Sequence, residues 1–184
     1  MLENMVLLQP ILSIIPLKTN AMIHLTEPHG GVLKELYLSV EDAAPFKAQA
    51  QEYPSWDLTP RQLCDLELLL NGGFSPLDGF LNRADYQRVV EEMRLADGTL
   101  WPMPITLDVS EEFAGQLDRG TRVALRDPEG VLIAVLEVGD VWRPDRLHEA
   151  RRIFGDADER HPGVFHLLHR TGPVYVGGRL YGIE

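Results

Sequence analysis

Cysteine is almost missing from this 184-residue chain, which contains only Cys64. A single cysteine cannot form an internal disulfide, and it offers no thiolate cluster to a metal ion. We therefore expect a reducing compartment and a cytoplasmic location, because structural disulfides belong mainly to oxidising compartments. Cys64 lies between Leu63 and Asp65, and we interpret it as a small, semi-buried side chain and not as a nucleophile.

Positive charge is also scarce. The chain has 17 Lys and Arg against 28 Asp and Glu, which gives a net charge of −11 and a pI of about 4.9. Nucleic-acid affinity depends on Lys and Arg side chains that release counterions from phosphates, and anionic membranes attract basic segments. The charge balance therefore argues against nucleic acid or a membrane surface as a partner, although it leaves room for a local basic patch.

A long apolar run is missing too, and residues 1–21 come closest to one. They are apolar but interrupted by Pro10 and Pro16, and they lack the positively charged start of a secretory signal. We expect a weakly structured N-terminal extension followed by one domain at residues 22–184, because Met22 offers a second start. The alternative is an N-terminal strand or arm that packs on the domain or on a partner, and the true start stays open.

Phosphate-binding loops are absent as well. Three glycine pairs, at residues 30–31, 72–73 and 177–178, lack the GxGxxG or GxxxxGK[ST] spacing of such loops. The pair at 72–73 follows a predicted helix, so it lies at the negative end of the helix dipole, which disfavours anions. We predict turn and cap roles for all three pairs.

The clearest local pattern that is present predicts a helix at residues 59–71. Thr59 suits the N-cap, Pro60 suits the first helical position, and Gln62 completes a capping box three residues after Thr59. Starting at Leu63, leucines recur at i, i+3 and i+7, which indicates one buried face. A Gly-Gly pair ends the pattern. We therefore predict a structural helix, followed by a compact loop that packs on the body of the protein.

Short strands and short helices follow one another along the rest of the chain. Two β-rich runs at residues 121–126 and 131–141 flank an Asp-Pro-Glu-Gly turn, and they predict a hairpin. Pro45 is expected to divide residues 39–53 into short helical pieces. Further predictions are strands at 30–38, 105–109 and 173–179, helices at 83–94, 144–154 and 164–170, and a helical turn after Ser110. This mixture predicts an α+β domain built on a small, mostly antiparallel barrel or sheet with interspersed short helices.

His166 and His169 are the most tempting candidates for chemistry. Their i, i+3 spacing allows both rings to face one ligand on a helix. Two histidines without a third ligand do not make a closed zinc site, however. We interpret the pair as surface or packing residues, and we assign no catalytic, cofactor-binding or metal-ligating residue to this chain.

Charged side chains offer further candidates without a supporting pattern. Asp65 and Glu67 are two residues apart and do not share a helix face, and Asp108 ends a predicted strand. We expect these acids to be solvated or to cap backbone groups. The chain also offers three candidate anion binders, Arg61, Arg126 and Arg179. Salt bridges are the commoner use of arginine in so acidic a chain.

Several sequence blocks together resemble one family. They are PHGG at 28–31, LTPRQLCDLELLLNGGFSPLDGFL at 58–81, RLADGTLWPMPITLDV at 94–109, ALRD at 124–127, HPGV at 161–164 and YVGG at 175–178. In this order, and with no large gap, the chain resembles the N-terminal domain of ATP sulfurylase (sulfate adenylyltransferase) over residues 26–184. The resemblance implies a PUA-like fold.

The resemblance also implies a function. ATP sulfurylases convert ATP and sulfate to adenosine 5′-phosphosulfate and pyrophosphate, with Mg²⁺, in sulfate assimilation. Their catalytic domain carries a Gln-x-Arg-Asn-Pro segment with its His-x-x-His and a later Gly-Arg-Asp-His segment, and the HLLH at residues 166–169 follows no Arg-Asn-Pro here. We therefore expect an accessory or scaffold domain that is inactive alone, with ATP and Mg²⁺ bound only when a catalytic domain is present. The alternatives are a stand-alone PUA-like module that binds protein or RNA, and a split enzyme completed in trans.

Five residues are the expected contacts with such a catalytic domain: Phe74, Leu77, Phe80, Tyr175 and Tyr181. The first three anchor an apolar loop at a helix end, and the two tyrosines lie near the exit toward the next domain. Large exposed apolar patches usually mark an interface. We expect the partner to be a catalytic domain, in cis or in trans, with self-association of this chain as a further outcome.

Overall fold

A computed structural model describes residues 26–183 of the chain. The extension predicted for residues 1–21 lies outside the described residues. Within them, the backbone forms an open sheet of six strands. The strands are β1 (Ser55–Asp57), β2 (Gly79–Phe80), β3 (Leu107–Val109), β4 (Arg122–Arg126), β5 (Leu132–Trp142) and β6 (Val174–Gly182). The strand order is β1-β4-β5-β6-β2, and β3 pairs with β6 beside this path. All pairs are antiparallel apart from β1 with β4, which confirms the predicted α+β fold with a mostly antiparallel sheet.

Six helices accompany the sheet in the described part of the chain. They are α1 (Val40–Gln49), α2 (Pro60–Leu70), α3 (Arg83–Glu92), α4 (Glu111–Ala114), α5 (Arg146–Phe154) and α6 (Pro162–His169). Each begins after a residue whose side chain accepts a hydrogen bond from the first turn, as Asn82 does for α3. None of these helices combines the length and apolar character needed to cross a membrane.

The structure confirms how α2 begins and ends. The Gln62 N–H donates to the Thr59 hydroxyl at 3.3 Å, and the Thr59 N–H donates to Gln62 Oε1 at 3.0 Å. Gly72 follows the helix with a φ of +81°, a left-handed conformation that favours glycine. Leu66 is fully buried, whereas Leu63 is only partly buried.

Thr59→Ala is expected to lower the free energy of unfolding by about 1 kcal/mol, because the first turn of α2 loses its capping hydrogen bond. Urea denaturation of the two proteins measures the difference. Thr59→Ser is the matched control, since it retains the hydroxyl and should retain most of the stability. Equal midpoints for all three proteins would show that the cap contributes nothing.

The predicted hairpin is also confirmed. β4 pairs with β5 in an antiparallel register that sets Val123 opposite Leu136. The turn closes when the Asp127 N–H donates to the Val131 carbonyl at 3.0 Å and the Val131 N–H donates to Asp127 Oδ1 at 2.7 Å. β5 then pairs with β6 along most of its length, so these three strands form the centre of the sheet.

Residues 30–38 do not form the predicted strand. Their only pairing with the sheet is an isolated bridge from Tyr37 to Gly182 within the described residues. The Leu36 N–H donates to the Leu70 carbonyl, and the Gly182 N–H donates to the Leu36 carbonyl. The segment therefore divides its hydrogen bonds between the end of α2 and the end of β6, and no regular ladder develops.

Pro45 does not divide the following segment, contrary to expectation, but lies inside α1. A proline in a helix removes one backbone hydrogen bond, so tertiary packing must compensate. Ala43 is buried, and the Phe46 ring stacks on Tyr181 with the ring centroids 4.9 Å apart. Contacts of α1 with the sheet thus outweigh the local preference of proline.

The glycine pair at residues 177–178 lies inside β6 and not in a turn or cap, which corrects the prediction. A Cβ atom added to Gly177 would lie 2.1 Å from the Leu81 carbonyl oxygen. Glycine is needed there because the neighbouring backbone approaches too closely for a side chain.

The buried hydrophobic residues form two separate cores in the described part of the chain. The main core packs α2 and α3 against the sheet and includes Leu66, Val89 and Leu136. A smaller core joins α5 to α6 through Ala150, Val164 and Leu167. The α5–α6 pair is therefore a helical hairpin with its own interior, packed beside the main body.

Candidate functional site

Three of the five predicted interface residues belong to the main core. The exposed fraction is 7% for Leu77, 2% for Phe80 and 1% for Tyr175. Their apolar atoms are thus covered within the chain itself, because the loop after α2 packs onto β6 through the short strand β2. Of the five predicted interface residues, Phe74 and Tyr181 are the two whose side chains remain partly accessible, and both are half-buried.

Phe74 is half-buried, and three exposed leucines lie next to it or next to residues that it contacts or follows. Its ring meets Trp101 edge to face, with 5.9 Å between the ring centroids. Leu33 and Leu68 border Gly72 and Gly73, just before Phe74, and Leu100 just before Trp101 is 53% exposed. We call these four residues, Leu33, Leu68, Phe74 and Leu100, the α2-end patch. Of these four residues, only Phe74 belongs to the predicted interface loop.

Tyr181 is engaged inside the chain and does not belong to this patch. One side of its ring stacks on Phe46 of α1, and the Arg179 guanidinium lies 5.5 Å from the ring centroid. Arg122 in turn lies 4.9 Å from the centroid of Phe46. Tyr181 therefore holds α1 against the sheet, and an interface role for it stays a prediction.

Glu149, on α5, is a buried carboxylate that sequence reasoning missed. Its exposed fraction is 6%. Its Oε2 accepts hydrogen bonds from the hydroxyls of Tyr86 at 2.9 Å and Tyr175 at 3.1 Å. The two tyrosine rings meet edge to face, and Trp142 packs against both. One carboxylate thus ties α3, α5 and β6 together.

Burial raises the pKa of the Glu149 carboxyl above its usual value. The two tyrosine hydrogen bonds and the charges of Arg146 and Arg61 oppose that rise. Burial, together with the charge of Glu149, also raises the pKa of Tyr86 and Tyr175. The hydroxyls therefore remain protonated at neutral pH and remain hydrogen-bond donors.

Asp108, on β3, is the second buried carboxylate, so of the two roles predicted for it, solvated or capping a backbone group, the first is wrong. Its Oδ1 accepts hydrogen bonds from Arg61 Nη2 at 2.6 Å and Gln62 Nε2 at 2.9 Å, and its Oδ2 accepts one from the Gly172 N–H at 2.6 Å. Gln62 Nε2 also donates to the Asp108 carbonyl at 2.7 Å. This network joins the start of α2 to β3 and to the loop before β6, and it uses Arg61 in a salt bridge.

A cavity of about 210 Å³ lies where the α5–α6 pair meets the main body. We call it the seam cavity. Its polar lining consists of Arg61, Thr106, Glu149, His166, Thr171 and Tyr175. Residues far apart in the sequence therefore meet at one site, and of the predicted candidates only Arg61, His166 and Tyr175 are among them.

The remaining candidates are placed elsewhere. His169 Nε2 lies 2.9 Å from Glu159 Oε2, so the two histidines of α6 make different contacts. Asp65 pairs with Arg61 at 2.7 Å, and Cys64 is exposed and not semi-buried as predicted. No group of three or more His, Cys, Asp or Glu side chains that could hold a metal ion occurs among residues 26–183.

The other two candidate anion binders, Arg126 and Arg179, also contact groups within the chain. Arg126 donates to Ser55 Oγ at 3.1 Å and to the Gly130 carbonyl at 3.0 Å. Arg179 lies over the Tyr181 ring, as described above. Neither contributes to the seam cavity.

Comparison with protein families matches residues 26–184 of the chain to a family model. The family is the PUA-like domain. The match therefore includes every residue that the structure describes.

Curated proteins of similar sequence include several sulfate adenylyltransferases. The Saccharomyces cerevisiae protein is 49% identical over 162 residues, which is 85% of this chain and 31% of that protein. The Neurospora crassa protein is 50% identical over 161 residues, which is 85% of this chain and 28% of that protein. The chain thus spans about three tenths of the length of these relatives and corresponds to their N-terminal region.

A solved structure supports the same fold. It is the hexameric APS kinase from Thiobacillus denitrificans, with a TM-score of 0.66 and 34% sequence identity. The similarity covers 86% of this chain and 27% of that chain. In that structure too, the matched region is a minor part of a longer polypeptide.

Proposed function

Because the chain belongs to the PUA-like domain family and corresponds to the N-terminal region of sulfate adenylyltransferases, we propose that it is the accessory domain of such an enzyme. In this role it packs against a catalytic domain and orients it. The catalytic domain binds ATP, Mg²⁺ and sulfate and forms adenosine 5′-phosphosulfate and pyrophosphate. The pathway served is sulfate assimilation.

One observation carries this proposal. Identity of 49% extends over 85% of this chain but over only 31% of the S. cerevisiae relative. Most of the relative's sequence, about two thirds of it, therefore lies outside the region that resembles this chain. Identity this high over a whole domain supports the same role next to the same kind of neighbour.

The chemistry of the described residues agrees with an accessory role. Adenylyl transfer needs several positive groups around the phosphates. Arg61, which faces the seam cavity, is already paired with Asp108 and Asp65, and Glu149 adds a further acid beside it. The phosphate-binding groups are therefore assigned to the catalytic domain.

The α2-end patch is the surface proposed for the contact between the two domains. Leu33 is 54% exposed, Leu68 is 39% exposed, and the half-buried ring of Phe74 contacts Trp101. Burial of apolar side chains is the main favourable contribution to such contacts. A second copy of this chain is a further proposed partner, supported by the hexameric state named for the Thiobacillus denitrificans protein.

A cytoplasmic location is part of the proposal. Cys64 is a free, exposed thiol, and such thiols persist in reducing compartments.

The isolated chain is expected to show no sulfate-dependent release of pyrophosphate from ATP and Mg²⁺, because its sequence contains neither the Gln-x-Arg-Asn-Pro nor the Gly-Arg-Asp-His segment of the catalytic domain. A chimera tests the accessory role in the same assay. In it, this chain replaces the matched region of the S. cerevisiae relative, and the relative with that region deleted is the control. Activity in the chimera but not in the deletion supports the role. Activity of the highly purified chain alone would contradict it.

A further inference from the structure

Strand β1 forms an edge of the sheet in the described part of the chain. It pairs in parallel with β4 on one side, and the strand order places no strand on its other side. The Ala124 N–H donates to the Pro54 carbonyl at 2.9 Å, and the Leu58 N–H donates to the Arg126 carbonyl at 2.8 Å. These two bonds show which backbone groups of β1 and its flanking residues face β4.

The backbone groups of Ser55 and Asp57 face away from the sheet. Successive residues of a strand direct their N–H and C=O groups alternately to the two sides, and Pro54, Trp56 and Leu58 are the residues that face β4. The N–H and C=O groups of Ser55 and Asp57 therefore face outward, and no other strand of the described chain bonds to them. Such a row of unpaired groups is a template for a further strand.

A groove of about 390 Å³ lies beside this edge, between β1 and α4, and we call it the β1 groove. Trp56 and Phe113 form its aromatic part, with 4.8 Å between the ring centroids, and both side chains are half-buried. Its lining consists of the three residues of β1 with Ser110, Glu112, Phe113 and Gln116. Peptides that add to a sheet edge combine backbone hydrogen bonds with side-chain contacts in such a groove.

The charge of the β1 groove selects its occupant. Asp57 and Glu112 are exposed acids, and no lysine or arginine is part of the lining. Arg126, next to Ser55, donates to Ser55 Oγ and to the Gly130 carbonyl. Opposite charges on neighbouring strands stabilise their pairing, and like charges destabilise it. A second copy of this chain, with its net charge of −11, is therefore disfavoured at this edge, and a basic strand is favoured.

We propose that β1 binds an extended basic peptide as an additional strand of the sheet. The N–H groups of the peptide donate to the outward carbonyls of Ser55 and Asp57, and its carbonyls accept from their N–H groups. Its basic side chains pair with Asp57 and Glu112. A guanidinium over the rings of Trp56 and Phe113 adds a cation–π contact, which favours arginine. This site depends neither on the proposed function nor on the α2-end patch.

Titration of the isotope-labelled chain with the peptide acetyl-TRVRT-amide, followed by two-dimensional amide NMR, tests the proposal. We expect saturable shifts centred on residues 54–58 and 110–116. The acidic peptide acetyl-TEVET-amide is expected to bind at least about tenfold more weakly, because its charges repel Asp57 and Glu112. This comparison uses the unmodified chain. Shifts of the same amides when the chain alone is concentrated would assign the edge to a second copy and overturn the proposal.

Ser55→Pro tests the backbone pairing separately from the charge. Proline removes the outward N–H and leaves the ladder with β4 intact, since an edge strand tolerates proline where the N–H faces solvent. Ser55→Ala is the matched control, because it loses the same hydroxyl, which accepts from Arg126, but keeps the N–H. We expect acetyl-TRVRT-amide to bind the proline variant about two- to tenfold more weakly than the alanine variant. Equal binding to the two folded variants would contradict strand addition.

Asp57→Asn tests the charge, and it retains the size of the side chain. Acetyl-TRVRT-amide should bind this variant about two- to fivefold more weakly than the wild type. Glu159→Gln is the matched control, because it removes the same charge from an exposed residue that pairs with His169. It should leave binding unchanged. Shifts that do not saturate, equal binding of the two peptides, or equal losses in the Asp57 and Glu159 variants would overturn the proposal.

Discussion

Asp108→Ala is expected to lower the free energy of unfolding by at least about 1–3 kcal/mol, because buried donors lose the carboxylate that accepts their hydrogen bonds. The substitution removes the acceptor of Arg61 and Gln62 and leaves the Gly172 N–H without its partner. Such an unpaired buried donor adds to the loss. Urea denaturation, with the midpoint and slope compared to those of the wild type, measures the effect.

Asp65→Ala is the matched control for this prediction. Asp65 binds the same Arg61 guanidinium at 2.7 Å, and among residues 26–183 this is its one side-chain hydrogen bond, made to an arginine that is itself 40% exposed. Pairs of this kind contribute less than about 1 kcal/mol. Losses of similar size in the two variants would show that the Asp108 network does not join α2 to β3 as described.

Leu66→Ala is expected to lower the free energy of unfolding by about 2–5 kcal/mol, because it leaves a cavity in the main core. Leu66 has an exposed fraction of 0% and lies on the buried face of α2. Leu68→Ala is the control on the same helix, because Leu68 is 39% exposed and its truncation should change stability by at most about 0.5 kcal/mol. If the two variants unfolded at the same urea concentration, the assigned orientation of α2 would be wrong.

Local sequence signals predicted those elements whose ends depend on neighbouring residues. The capping box of Thr59 and Gln62 and the glycine after α2 act within a few residues, and the structure has both. The hairpin of β4 and β5 follows from one turn of four residues in the same way. The residues that take part in these interactions are only a few positions apart, so their pattern can be recognised in the sequence alone.

Predictions failed where distant residues decide the local conformation. Pro45 lies within α1 because Phe46 stacks on Tyr181, more than 130 residues away in sequence. β1 is three residues long, and its parallel pairing with β4 has no local signature. The close approach at Gly177 depends on Leu81 from another part of the chain.

The polar networks also depend on residues that are distant in the sequence, so they could not be predicted from it. The hydrogen bonds of Asp108 reach Gln62 and Gly172, which are 46 and 64 residues away. Glu149 meets Tyr86 at a separation of 63 residues. No spacing rule connects such residues, and a lone acid on a helix is normally solvated. The prediction for Phe80 and Tyr175 failed for the same reason. Their aromatic character suggested a surface contact, but both side chains are buried in the main core.

Sedimentation velocity of this chain with the catalytic portion of the S. cerevisiae relative is the most direct test of the accessory role. We predict a complex with the wild-type chain, weakened when Leu33→Ser and Leu100→Ser are combined, since both side chains are more than half exposed in the α2-end patch. Leu147→Ser, at a 45% exposed leucine of α5 outside the patch, should leave the complex intact. A chain that stays monomeric at every concentration, and forms no complex with a catalytic portion shown to be folded, would contradict the accessory role and favour a stand-alone binding module.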